Sequence, residues 1–178
     1  MKTFGLAGWS GSGKTTLLRQ LIPELRRRGL TVSTIKHAHH RFDLDQPGKD
    51  SHAHREAGAS EVLIASSARW ALMHELRGED EPALPELLAR MSPVDLVLVE
   101  GFKRSAQPKL EVHRPALGKP LLAPDDPWIV AVASDVPELP VARPLLPLTD
   151  VVAIAGFVVD HAAPVASLVP IASVGSAA

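Results

Sequence analysis

The sequence predicts an α/β fold in which a mostly parallel, mixed central sheet is flanked by helices and carries a β-hairpin extension. Three observations predict it. An apolar run, Lys2 to Ala7, passes directly into Gly8-Trp9-Ser10-Gly11-Ser12-Gly13-Lys14-Thr15, and a helical pattern starts at Thr16. A β-branched run at Leu30 to Ile35 and apolar runs at Val94 to Val99 and Trp128 to Ala133 alternate with helical segments as the strands of a parallel sheet do. Glu61 to Ala65 and Trp70 to Leu76 flank Ser66 to Arg69 in the manner of a hairpin.

The first observation narrows the class to phosphate-loop NTPases. The segment matches G-x-x-x-x-G-K-[ST] in full, and strand, loop and helix occur in the required order. Its glycines let backbone N–H groups turn toward phosphate oxygens. Lys14 supplies a point charge to the β- and γ-phosphates, and the Thr15 hydroxyl can ligate Mg²⁺. A following helix turns its positive end toward the anion.

The remaining elements follow in order. Leu17, Leu18, Leu21, Ile22 and Leu25 share one helical face, Arg26 to Arg28 suit a solvated last turn, and Gly29 ends the helix. Pro23 inside this helix predicts a bend. Leu30 to Ile35 forms a second strand. Lys36 to Asp50 is a polar, histidine-rich connection containing the turn pair Pro47-Gly48, and Asp50 or Ser51 caps a short helix ending near Gly58. After the hairpin, Pro82 to Met91 is helical, Val94 to Val99 is a strand buried on both faces, and Lys109 to His113 is an alternating strand. Trp128 to Ala133 is the next buried strand. Pro115 to Pro127 and Pro137 to Pro147 read as connections, and Thr149 or Asp150 caps a last helix weakened by Gly156. Residues 1–162 read as a single domain, and 163–178 as a loosely ordered tail.

Composition bounds the function. The 178 residues carry a formal charge of −1, which gives nucleic-acid binding no electrostatic support. Cysteine is absent, excluding disulfides and thiolate metal sites and fitting a reducing cytoplasm. No run approaches the length of a membrane span.

Outside the phosphate loop, the carboxylate that ends Asp95-Leu-Val-Leu-Val-Glu100-Gly101 stands at the carboxyl edge of the sheet, where it can hold Mg²⁺ directly or through water. Glu100 is therefore the second metal residue beside Thr15, and Asp95, at the opposite edge, is a solvent-exposed strand-entry residue. The segment from Lys36-His37 through His39-His40, Asp43, Asp45, Lys49 and Asp50 to His54 follows the second strand. It can fold over the nucleotide as a switch loop, with Asp43, Asp45 or Asp50 reaching Mg²⁺ or its waters and Lys36 or Lys49 reaching phosphate. A transition-metal site built on its imidazoles is the weaker reading, because no separated His pair sits on a clear helix. Asp135 closes the strand Trp128 to Ala133 and can accept hydrogen bonds from guanine's N1–H and amine; the N-K-x-D signature is absent.

These segments together resemble the MobB family of molybdopterin-guanine dinucleotide biosynthesis adaptors. The resemblance rests on Gly8 to Thr16, Lys36-His37 through Asp50-Ser51, Arg69 to Met73, Asp95 through Lys103 and Ile129 through Pro137, covering most of the chain to about His161. It implies a GTP-binding phosphate-loop protein, usually dimeric, with at most slow GTP hydrolysis. Such a protein assists the guanylyltransferase that attaches GMP to molybdopterin, works with other cofactor-biosynthesis proteins, and helps deliver the molybdenum cofactor. The family's nucleotide site maps onto Ser10, Gly11, Ser12, Gly13, Lys14, Thr15 and Thr16, to which the reading of the residues adds Lys36, His37 and Asp135. Thr15, Asp45, Asp50 and Glu100 are the expected Mg²⁺ residues. No obvious water-orienting glutamine or arginine finger is present, consistent with slow turnover. The alternatives are a phosphate-loop small-molecule kinase, with Lys36, His37 and Asp43 around an acceptor, and a metal- or pterin-binding carrier. The kinase reading lacks an arginine-rich lid.

Overall fold

The computed structural model describes residues 1–38, 42 and 44–168. His39, His40, Arg41 and Asp43 of the His/Asp segment, and residues 169–178 of the expected tail, lie outside them. The chain divides into two compact units, Met1–His37 with Leu84–Ala178, and Ala38–Ala83, where the sequence reads as one domain.

The first unit is built on β1 (Lys2–Ala7), α1 (Lys14–Arg27) and β2 (Val32–Lys36). The second holds α2 (Asp50–Glu56), β3 (Glu61–Ala65) and β4 (Trp70–His74). The chain then returns to the first unit through α3 (Leu84–Ala89), β5 (Leu96–Glu100), β6 (Lys109–His113), β7 (Ile129–Ser134), β8 (Leu145–Pro147), α4 (Val151–His161) and β9 (Ala163–Pro164).

The main sheet runs β2-β5-β1-β6-β7-β8, all parallel, and β9 pairs antiparallel with β1 at Lys2 and Thr3. The mixed sheet expected from the sequence is therefore present. In β5, Leu96 and Leu98 join Phe4, Leu21, Leu25, Ile154 and Val158 on one face, while Val97 and Val99 pack with Leu84 and Leu88 on the other. Alternate strand residues point to opposite faces, so an uninterrupted apolar run is what two covered faces require. Each fully buried leucine here contributes about 1.5–3 kcal/mol. Among the described residues no helix is long and apolar enough to cross a membrane.

Helix α1 continues through Pro23, and its basic end is partly engaged. Arg27 and Arg28 hydrogen-bond Glu24, holding its carboxyl at about 2, and Arg28 also donates to Val152 O of α4. Gly29, at φ 85, and Leu30 close the helix through Gly29 N→Arg26 O and Leu30 N→Leu25 O. That cap consumes Leu30, which is why β2 begins at Val32 rather than Leu30. Asp150 does cap α4, accepting from Ala153 N at 2.9 Å, and α4 runs through Gly156. Asp50, by contrast, is the first residue of α2; the cap position is Lys49, with no side-chain cap bond. Pro82 and Met91 fall outside α3, which is shorter than the sequence suggests.

Two strands escaped the sequence reading. β8 lies inside the proline-rich Pro137 to Pro147, where an edge position tolerates proline. In the segment expected to be loose after His161, β9 pairs with β1, and Leu168, only 9% exposed, packs with Leu84, Leu88, Val97 and Val99. β6 was expected to alternate, yet all five residues are buried. Lys109 donates to Lys103 O and Ser105 O and pairs with Asp126, and Glu111 accepts from Leu122 N and Ala123 N. Buried charges require such partners.

Asp95 is more than a solvated strand-entry residue. Its Oδ2 accepts from Thr31 N at 2.8 Å and Thr31 Oγ1 at 2.6 Å, and its own N–H donates to Thr31 Oγ1. This clasp joins the entries of β2 and β5, and it holds the Asp95 carboxyl below its ordinary 3.8. Its stabilisation is therefore complete above the ordinary carboxylate range and is lost as pH falls through the lowered value. Asp95→Ala should be destabilised at neutral pH, with the gap to wild type narrowing in acid. Denaturant melts showing a pH-independent gap would exclude this account.

Candidate functional site

The parallel sheet brings the carboxyl ends of five strands together, the edge where such sheets bind ligands. β1 leads into the phosphate loop, β2 ends at Lys36, β5 at Glu100, β6 is followed by Arg114, and β7 by Asp135. Lys36 and Glu100 are register partners, and His37 N donates to Glu100 O at 2.8 Å.

Within the loop, Gly8 at φ 138 lets the chain leave β1 beside β6: a Cβ there would stand 2.5 Å from Val112 O. Gly13 is the N-cap of α1 and has no side chain to cap it, so no capping side chain competes with a ligand for the first-turn amides. The Lys14 ammonium donates to Gly8 O and Trp9 O, each at 3.0 Å. Burial lowers the Lys14 pKa from its ordinary 10.5; Glu100 opposes this, while Lys103 and Lys36 add to it. Ser10, Gly11, Thr15 and Thr16 are exposed to an incoming ligand, and Ser12 is buried.

The Thr15 hydroxyl donates to Glu100 Oε1 at 3.1 Å. A hydroxyl and a carboxylate, 85 residues apart in the chain, thus meet at the start of α1. Both are oxygen donors of the kind a Mg²⁺–phosphate complex uses. Asp45 and Asp50 belong to the second unit. There Asp45 is buried and paired with Arg55 at 3.0 Å, and Asp50 is exposed in the first turn of α2. Among the described residues no group of three or more His, Asp or Glu side chains gathers into a metal site.

At the other end of the loop, a cavity of about 280 Å³ is lined by Gly13, Thr16, Gln20, Arg114, Asp135 and Thr149, among others. That is just below the ~300 Å³ at which typical ligand pockets begin. Arg114 joins loop and cavity: its Nε donates to Ser12 O at 3.1 Å and its guanidinium pairs with Asp135 at 2.8 Å. Arg114 was missed in the sequence because it sits between a short strand and a proline-rich connection. Its signal is its place immediately after a parallel strand.

The sequence profile of the family described as "Molybdopterin guanine dinucleotide synthesis protein B" (MobB) matches residues 3–135. The chain belongs to the MobB family. The Escherichia coli (strain K12) protein named molybdopterin-guanine dinucleotide biosynthesis adapter protein is 49% identical over 158 residues, covering 86% of this chain and 89% of that one. The Haemophilus influenzae protein of the same name is 45% identical over 157 residues, covering 86% and 85%. A solved structure titled molybdopterin-guanine biosynthesis protein B (mobB) superimposes with a TM-score of 0.69 at 28% identity, covering 89% of this chain and 98% of that one. The phosphate-loop α/β fold expected from the sequence is thereby established for this MobB chain.

Proposed function

We propose that this chain is a GTP-binding adaptor of molybdopterin-guanine dinucleotide biosynthesis, with slow or no intrinsic hydrolysis. In this reading it works in the cytoplasm as a homodimer, assisting the guanylyltransferase and the delivery of the cofactor. Family membership supports the adaptor role. The observation that carries the nucleotide role is the Thr15–Glu100 hydrogen bond beside the Lys14 loop. It sets both oxygen donors where Mg²⁺ would accompany the β- and γ-phosphates.

The triphosphate lies along Ser10 to Thr16, with Lys14 at its terminal end and α1's amides around it. The nucleoside then extends into the cavity, where Asp135 accepts from guanine's N1–H and amine, a pairing adenine lacks. Arg114 holds the Asp135 carboxylate at 2.8 Å and so orients it. Lys36 and His37, at the end of β2, flank Glu100 near the metal.

Slow turnover follows from what surrounds the terminal phosphate. Gln20 lines the nucleoside cavity, and Gln107 is buried with its Oε1 accepting from Thr3. Neither of these two is placed to orient a water at the Lys14 end, and the third glutamine, Gln46, belongs to the second unit.

A competition titration of GTP, GDP and ATP, with and without Mg²⁺, tests the reading. GTP should bind more tightly than ATP and depend on Mg²⁺, and Asp135→Asn should narrow the GTP/ATP ratio by about tenfold or more. A preference for ATP would overturn the base assignment. Phosphate transfer to an acceptor alcohol at ordinary kinase rates would favour the kinase alternative instead.

A further inference from the structure

Lys103 and Lys119 are two cations that the nucleotide reading leaves without a role. Both ammonium groups lie against the Trp9 ring, 4.8 Å and 5.9 Å from its centroid. The indole is held in place, since its ring N–H donates to Pro120 O at 2.8 Å. Trp9 is the second residue of the phosphate loop, and its carbonyl, with that of Gly8, receives the Lys14 ammonium. Lys14 reaches the β- and γ-phosphates, so Trp9 marks the terminal-phosphate end. The nucleoside cavity opens at the opposite end, by Gly13 and Asp135.

Lys103 is presented by a segment held in an uncommon conformation. Gly101 lies at φ 94, where a Cβ would stand 2.7 Å from His37 Cβ, and Phe102 lies at φ 47. A non-glycine residue in the left-handed region costs about 1–3 kcal/mol and persists only where its surroundings enforce it. Here the enforcement is explicit. The fully buried Lys109 ammonium binds Lys103 O at 2.7 Å and Ser105 O at 3.0 Å and pairs with Asp126 at 2.7 Å, while Phe102 packs on His37 at 4.7 Å between ring centroids. The backbone of Lys103 is thus fixed from below while its side chain stays exposed above Trp9.

The result gathers like charges: Lys36 and Lys103 stand near enough to Lys14 to disfavour its ammonium, with Glu100 opposing them. Each ammonium is attracted to the indole face, but the gathered lysines repel one another, and an arriving anion relieves that repulsion.

We propose that Trp9, Lys103 and Lys119 form a second anion site, for a dianionic phosphoryl group on a ligand separate from the nucleotide, seated against the terminal-phosphate end of the loop. The proposal deepens the nucleotide reading and rests on it. The two lysines would bind the phosphoryl oxygens, and the indole would pack beside the ligand body. A nucleotide and a phosphomonoester would then share one positively charged surface, so each can report the other's presence to a partner protein.

Trp9 provides the readout. Trp70 and Trp128 are exposed, so Trp70→Phe with Trp128→Phe leaves Trp9 as the only indole. This protein is first saturated with the β,γ-imido analogue of GTP and Mg²⁺, which fills the loop, and is then titrated with inorganic phosphate or ribose 5-phosphate. A saturable change in Trp9 fluorescence is expected with both probes if the phosphoryl group is what is recognised. A response to ribose 5-phosphate alone would assign the site to an ester. Adding Lys119→Gln should weaken probe binding by about tenfold or more, the scale of one lost charge-assisted contact, while leaving analogue affinity within about twofold. Loss of analogue affinity in that variant would assign Lys119 to the triphosphate and overturn the proposal. Absence of any saturable response on the loaded protein would also overturn it. Failure of the analogue itself to bind would instead sink the nucleotide reading, and the two failures are measured separately.

Discussion

Lys14→Ala should abolish measurable GTP binding while leaving the fold intact. Among the described residues the ammonium bonds loop carbonyls, Gly8 O and Trp9 O, and the side chain is half-buried at the mouth of the loop, so its removal opens no cavity in the core. What is lost is the charge meeting the β- and γ-phosphates. Charge-assisted contacts are worth about 1.5–3 kcal/mol each, so two of them correspond to a loss of roughly 100-fold or more. Calorimetric titration against an unchanged thermal melt would check this; wild-type affinity in the variant would remove the loop from the nucleotide site. A pH effect accompanies it. Burial lowers the pKa of Lys14 below 10.5, so GTP affinity should fall at alkaline pH earlier than an ordinary lysine would allow. The stability of the empty protein moves the other way. The folded state sheds this proton first, so between the lowered pKa and 10.5 stability rises with pH.

Gly8→Ala should be among the most destabilising single substitutions in the loop. The new Cβ would stand 2.5 Å from Val112 O and 2.8 Å from Ser12 Oγ, at φ 138. Ser12 has a small side chain that can turn, but Val112 is backbone in a central strand whose neighbours on both sides are paired. Strain of about 1–3 kcal/mol for the backbone alone, with the displaced carbonyl added, sets a loss on the order of 3 kcal/mol or more. Gly29→Ala is the comparison. Gly29 also has a positive φ, 85, yet nothing lies within 4 Å of its added Cβ, so only about 1 kcal/mol is expected. Equal losses in denaturant unfolding would show that the Val112 contact is not what restricts this position.

Much of the fold was legible because its signals are local. Lys2–Ala7, the hairpin strand Glu61–Ala65 and the Asp150 cap each rest on residues within a few positions of one another. The ends of elements were less legible. Leu30 looks like strand by composition, but its amide completes the cap of α1. β8 and β9 were hidden for a related reason: Leu145–Pro147 and Ala163–Pro164 have little strand character of their own and are extended through pairing with β7 and β1. β6 shows the same limit in its side chains. The alternation Lys109, Glu111, His113 suggests a wet face, whereas Asp126 and the amides of Leu122 and Ala123 supply that face with internal partners.

The candidate site divides along the same line. The sequence by itself determined the phosphate loop, since its glycines, Lys14 and Thr15 act within one turn of chain and need no distant residue to be recognised. It also marked Glu100 and Asp135 as carboxylates at strand ends. Only the tertiary structure decided which of these meet. Parallel pairing of β1 with β5 aligns Leu6 with Glu100 and so brings Glu100 to Thr15, while β6 beside β7 brings Arg114 between Ser12 and Asp135. Strand register is a cooperative choice made by the whole core, through Phe4, Leu98, Leu110 and their neighbours. A carboxylate 85 residues from a hydroxyl becomes its hydrogen-bond partner only when that choice has been made.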